Sequence, residues 1–126
     1  VADLQGIKLG MLRIAGVSTI EYFLAHMIKP FAALYPGIEI DLAIENRQAM
    51  VDRLQREQDD LAVMMLPPTQ LPLKRFPFID NPLVVVGALD HPWAQGKRVP
   101  MARMTELILL TLEVGSGTRL ATEVFF

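Results

Sequence analysis

The sequence predicts an α/β fold whose sheet is largely parallel. Three observations carry this expectation. The 126 residues, 52% of them hydrophobic, suffice to bury one sizeable core. Short apolar alternations stand at residues 8–15, 38–44 and 61–66, and helical patterns fill the gaps between them. Strand, helix, strand, helix, strand in that rhythm implies right-handed crossovers between parallel strands.

KLGMLRIA, residues 8–15, alternates polar and apolar and reads as the first strand. From Ser18, Ile20, Phe23, Leu24, Met27, Phe31 and Leu34 line up on one helical face. A capping box is expected at its start: the Ser18 hydroxyl accepts from the Glu21 amide while the Glu21 carboxylate reaches back. Pro36-Gly37 stops the helix. Pro30 cannot donate to the His26 carbonyl, so a kink or a split is expected there.

IEIDLAI, residues 38–44, sets Ile38, Ile40, Leu42 and Ile44 against Glu39, Asp41 and Ala43, a second strand with one strongly apolar face. Asn46 caps a helix over residues 47–57, whose Met50, Val51 and Leu54 form a narrow buried stripe. Residues 61–66 follow as a third strand, stopped by Pro67-Pro68.

After Pro72 the pattern changes. Residues 73–79 and 82–88 are strand-like runs separated only by Asp80-Asn81, too short a join for a helical crossover and not a clear hairpin. The join reads as an extended segment leaving one unit for another. Residues 91–104 read as a loop and a short helix, 107–112 as a strand, and Thr118 onward as a helix. This second unit has too few elements to close a core, so the sequence reads as part of a longer chain.

Twelve basic and fourteen acidic residues give a formal charge of -2, with the basic residues scattered. Such a chain lacks the concentrated positive face that nucleic acid requires. No apolar run approaches the roughly 18 residues of a membrane span, and VADLQGIKLG lacks the regions of a signal peptide. The absence of cysteine excludes disulfides and thiolate metal sites and fits a reducing compartment. No membrane partner and no cofactor are expected, and a cytoplasmic location is.

The polar residues are placed with economy. The only serines are Ser18 and Ser116, and the only asparagines Asn46 and Asn81. Ser18, Asn46 and Ser116 each fall where a strand hands over to a helix, and Asn81 falls at the crossing. In a parallel sheet those handovers lie at the carboxyl ends of the strands, where ligands bind, and helix N-termini there present free amides. Each residue can equally be a cap or a turn; the set points to a ligand cleft.

Gly-Ser-Gly-Thr, residues 115–118, is neither a nucleotide P-loop nor a dinucleotide fingerprint, since the required lysine and third glycine are missing. His26 falls mid-helix and His91 in Asp-His-Pro, with no metal spacing around either. No G-x-S-x-G elbow is present, and Ser18 and Ser116 lack an obvious base. Asp59-Asp60 reads as part of a solvated turn over residues 57–60, and Met64-Met65 as core filler. Enzyme activity is not expected.

FAALYPGIEIDLAI, a short helix and then DDLAVMM resemble the effector-binding domain of LysR-type transcriptional regulators. AGVSTIEYFL, ENRQAMVDRL, LPP, FIDNPLVVVGALDHPWAQGKRVPMARM and GSGTR are more narrowly similar to the carbon-fixation branch, the CbbR and CmpR group. The likeness runs from about Leu4 to Phe126. It implies a fold like the type 2 periplasmic binding proteins: two Rossmann-like subdomains, crossed twice by the chain, with an effector in the cleft. Residues 1–80 would belong to subdomain I and 81–126 to part of subdomain II, the return to subdomain I and the winged helix-turn-helix domain lying outside this sequence.

The resemblance implies effector contacts at Ser18 and Thr19, at Asn46 and Arg47, at Pro67 in the Leu66-Pro67-Pro68 wall, and at Gly115, Ser116, Gly117, Thr118 and Arg119 opposite. Arg47 and Arg119 would supply charge. The implied effectors are small anionic metabolites: phosphorylated sugars and acids, 2-oxoglutarate or nicotinamide nucleotides. A homodimer and a homotetramer are implied, with the dimer surface on the apolar edge of the residue 19–35 helix and the second strand. Promoter DNA would be bound only through the N-terminal domain. Two other classes share the fold: a solute-binding protein for a small anion, and an enzyme such as a dehydratase or deaminase.

Overall fold

In the computed structural model, which describes residues 9–96 and 98–125, the first half forms a three-stranded parallel sheet. The elements run β1 (Gly10–Val17), α1 (Glu21–Leu34), β2 (Ile38–Glu45), α2 (Arg47–Gln55) and β3 (Leu61–Val63). A last helix, α3, spans Gly117–Phe125. Strand order is β2-β1-β3. β1 pairs with β2 from Gly10↔Ile38 to Val17↔Glu45, and with β3 from Ile14↔Leu61 to Gly16↔Val63.

The central position of β1 accounts for its composition. Its last four residues, Ile14, Ala15, Gly16 and Val17, are all buried, whereas β2, at the edge, alternates half-buried and exposed residues only from Ile38 to Asp41, with Leu42 exposed and Ala43, Ile44 and Glu45 half-buried. Gly16 permits a close approach: a Cβ there would stand 2.9 Å from Ile20 Cδ1 and 3.0 Å from Leu24 Cδ2. The core gathers Ile14, Ala15, Val17, Ile20 and Leu24 with Met50 of α2, and Met50 is fully buried. Burying a side chain of that size contributes about 1.5–3 kcal/mol.

The start of α1 differs from the expected capping box. Ser18–Ile20 forms a 3-10 turn, and the Glu21 amide donates to the Ser18 carbonyl, not to its hydroxyl. The tighter i to i+3 turn satisfies that donor by backbone, and neither the turn nor α1 has a side-chain cap. Nor does Pro30 split the helix, which runs on to Leu34. The apolar stripe is buried at its first end, Ile20 and Leu24, and exposed at its last, where Leu34 is 74% exposed.

Asn46 caps α2, its Oδ1 accepting from the Ala49 amide at 2.9 Å. The helix stops at Gln55, short of residue 57. Gln58 N donates to Arg53 O (3.1 Å) and Glu57 N to Leu54 O (3.2 Å), the paired bonds of a Schellman motif. Glu57 occupies the left-handed position of that motif with φ 53°. A side chain there is strained and glycine is not, so Glu57→Gly is expected to stabilise the protein by about 0.5–1 kcal/mol, read as a higher urea midpoint.

Glu57, Gln58 and Asp60 are exposed, as a solvated turn requires, but Asp59 is not. Arg53 holds Asp59 in a two-pronged ion pair, Nε to Oδ2 at 2.8 Å and Nη2 to Oδ1 at 2.7 Å, and the Asp59 side chain is only 2% exposed. The hydrogen bond to Asp59 raises the Arg53 guanidinium above its ordinary pKa, so its charge is constant over the whole working range. Asp60 joins β3 to β1 by accepting from Arg13 N and donating its own amide to Arg13 O, both at 2.9 Å. The pair of aspartates locks the α2–β3 connection.

The remaining strand expectations fail in part. β3 closes at Val63, because Met64 leaves the ladder and Leu66 turns into the left-handed region at φ 47°. Residues 73–79, 82–88 and 107–112 form no strand among the described residues. Their alternation is real, but an extended segment becomes a strand only against a partner, and Val84, Val86, Ile108 and Leu110 are 79–98% exposed. Pro92–Ala94 and Met101–Glu106 are 3-10 turns. Lys8 and Phe126, ends of the expected first strand and last helix, lie outside the described residues. No helix among the described residues is long and apolar enough to cross a membrane.

Candidate functional site

The carboxyl ends of the three parallel strands converge on one cleft. Val17, Ser18 and Thr19 follow from β1, Asn46 and Arg47 from β2, and Met65 from β3. The opposite wall is Leu112, Glu113, Ser116, Gly117 and Thr118, the approach to α3 and its first turn. Parallel strands that end side by side leave a crevice beyond their tips, and here the N-termini of α2 and α3 both open onto it.

The second wall is built by its turn. Gly115 takes φ 91°, which only glycine adopts without strain. Ser116, 8% exposed, then caps α3: its Oγ accepts from the Arg119 amide at 3.0 Å and its carbonyl from the Leu120 amide at 3.1 Å. Helix geometry gives the amides of Gly117 and Thr118 no internal acceptor, and the helix dipole places partial positive charge around them. On the first wall, Arg47 Nη1 donates to the Met65 carbonyl at 2.9 Å. Arg47 enters no ion pair among the described residues, so its charge is not neutralised there. A half-buried guanidinium facing the N-terminus of a helix is an arrangement that holds an anion.

Ser18, Thr19, Asn46, Arg47, Ser116, Gly117 and Thr118 are thus brought to a single cleft. Pro67, Gly115 and Arg119 do not line it. Pro67 follows the turn at Leu66, and Gly115 acts through its backbone conformation. Arg119 spends its guanidinium along α3, with Nε on Glu123 Oε1 at 2.9 Å and Nη1 on the Leu112 carbonyl at 3.3 Å. It supplies the cleft with no charge of its own, only the amide that Ser116 caps. The lining also takes in Val17, Met65, Leu112 and Glu113. Met65 could have been found from the handover argument applied to Ser18 and Asn46, for it follows the end of β3 in the same way. Leu112 and Glu113 could have been found from their place before the Gly-Ser-Gly-Thr turn.

The space open between the walls is about 30 Å³, room for about two water molecules. Among the described residues, no three His, Asp or Glu side chains are grouped so as to hold a metal ion.

The family model described as the LysR substrate binding domain matches residues 6–126. The chain is 43% identical over all 126 residues to a RuBisCO operon transcriptional regulator of Acidithiobacillus ferrooxidans, and 42% identical to the HTH-type transcriptional activator CmpR of Synechocystis sp.. It spans 41% of the length of each. Among solved structures it is similar to the Synechocystis PCC6803 CcmR regulatory domain in complex with 2-PG, with a TM-score of 0.85 and 38% identity over 93% of this chain and 56% of that one. It also resembles the reduced form of OxyR, with a TM-score of 0.64 and 27% identity over 88% of this chain and 54% of that one.

Proposed function

We propose, since the chain belongs to the LysR substrate-binding domain family, that it is the effector-sensing part of a carbon-fixation transcriptional regulator and binds a small anionic metabolite between its two walls. Its fold is the type 2 periplasmic-binding-protein-like α/β fold of the LysR regulatory domains. Its relatives are transcriptional regulators rather than enzymes, which favours this reading over a catalyst or a solute-binding protein. The observation that carries the proposal is the opposition of Arg47 to the free amides of Gly117 and Thr118 across one cleft.

Ser18 and Thr19 add hydroxyl groups beside that pair, and Asn46 fixes α2 so that Arg47 faces inward. The crossing from subdomain I to subdomain II falls at residues 80–81. An anion that bridges both walls favours whichever arrangement it contacts on both sides, and only that differential affinity moves the equilibrium. A second copy covers the groove between α1 and edge strand β2, about 370 Å³ lined by Ala25, Ile28, Ala32, Ile38, Ile40 and Leu42 with Lys29 at its rim. Such a dimer, and a tetramer of it, would carry the shift to promoter DNA through a domain outside these residues, in the cytoplasm. No cofactor takes part.

Calorimetry with 2-PG, ribulose bisphosphate, phosphoenolpyruvate, 2-oxoglutarate and NADPH tests the reading. Saturable binding of at least one, with a concentration-dependent rise in melting temperature, is expected. No binding across the series would leave the fold in place and reduce the Gly-Ser-Gly-Thr turn to a helix cap.

A further inference from the structure

Two charged residues line the cleft, and their signs are opposite: Arg47 on the first wall and Glu113 on the second. Glu113 starts the turn that builds the second wall, its carbonyl accepting from the Ser116 amide at 3.2 Å. It is exposed and enters no ion pair among the described residues. Arg119, whose Nη1 reaches the adjacent Leu112 carbonyl at 3.3 Å, pairs instead with Glu123 through Nε at 2.9 Å. The rest of the lining has no ionisable side chain. A cleft that collects an arginine and helix-terminal amides therefore also carries an unpaired carboxylate, which weakens the attraction for anions in general. Its presence there calls for a selective role.

We propose that Glu113 is a specificity-determining residue of the cleft and selects anions that bring a proton, namely phosphate monoesters in their singly protonated form, an inference that rests on the anion-binding reading above. An ionised carboxylate only accepts hydrogen bonds, so it repels a fully ionised oxygen and accepts from a protonated one. A phosphate monoester gives up its second proton at about pH 6, and a neighbouring carboxylate raises that value, so beside Glu113 the ester keeps or regains the proton. The phosphoryl group then accepts from Arg47 and from the Gly117 and Thr118 amides, and donates its own P–O–H to Glu113. A sulfate ester has the same shape but holds no such proton near neutral pH. It finds the same donors, yet an oxygen facing Glu113 meets a like charge with nothing to share, and this repulsion supplies the discrimination.

Calorimetry with 2-PG, and with the sulfate ester that replaces its phosphate, tests this at about pH 8, where the free phosphate has lost its second proton. Two buffers of different ionisation enthalpy report the protons taken up. The wild type is expected to bind 2-PG about 10-fold or more tighter than the sulfate ester, and to take up close to one proton with 2-PG and none with the sulfate ester. In Glu113→Gln, whose amide can donate to an ionised oxygen, that preference should vanish or reverse and the proton uptake with 2-PG should fall. Glu113 is exposed, so the variant is expected to fold. A wild type that binds both esters equally, or takes up no proton with 2-PG, overturns the role of Glu113 and leaves the anion reading standing. A preference that persists unchanged in Glu113→Gln overturns it too, as does a variant that loses both ligands, since Glu113 would then merely support the wall. A wild type that binds neither ester overturns the reading of 2-PG as ligand, and this inference with it.

Discussion

Arg47→Ala is expected to weaken binding of a phosphorylated small acid by about 10- to 100-fold, the loss of one hydrogen bond to a charged group worth roughly 1.5–3 kcal/mol. Arg47 is the charged side chain on the cleft wall that supplies positive charge, and although Glu113 also lines the cleft, no carboxylate among the described residues forms an ion pair with Arg47. The loss should be larger than that of any hydroxyl, because Ser18 and Thr19 are exposed and can exchange a ligand contact for water. Calorimetric titration of both proteins checks it, with circular dichroism to show that α2 survives. Arg47→Lys separates charge from geometry: it keeps the former and loses the planar fork that can hold the Met65 carbonyl and an anion together. An intermediate affinity is expected for it.

Met50→Ala is expected to cost about 2–5 kcal/mol of folding stability, a substantial share of the roughly 5–15 kcal/mol by which a domain is stable. Met50 is fully buried, and it connects α2 to the core residues of β1 and the start of α1. Its removal leaves a void at the point where α2 is seated, and through α2 it loosens Asn46 and Arg47 at the cleft. Met50→Leu should cost less than about 1.5 kcal/mol, since it nearly conserves volume. Urea unfolding of the three proteins gives the comparison: a midpoint shift at constant slope is the expected signature. A Met50→Ala midpoint equal to that of the wild type would contradict the placing of this side chain in the core.

The first half of the fold was legible because local pattern and burial agree there. Ile38 and Ile40 alternate with the exposed Glu39 and Asp41 along the first half of the edge strand, although Leu42, expected on the apolar face, is exposed, and Asn46 caps α2 from the position its neighbours dictate. Residues 73–88 and 107–112 misled for a physical reason: alternation reports a capacity to pair, and pairing is a property of two segments. Asp59 misled similarly. Nothing beside it in the sequence states that Arg53, across the end of α2, will draw it out of solvent. At the cleft, the small polar residues stood out by their rarity, whereas Met65 was hidden among apolar neighbours. Arg119 drew attention by its charge, although Glu123 four residues along the same helix was already the partner that occupies it.

The central claim is that one anion is held by both walls at once, and hydrogen–deuterium exchange with and without 2-PG tests it most directly. Slower exchange is predicted together in the amides around Ser18 and Thr19, around Arg47, and at Gly117 and Thr118, with a common dependence on ligand concentration. Protection confined to one wall, or none in a protein that binds 2-PG by calorimetry, would contradict it.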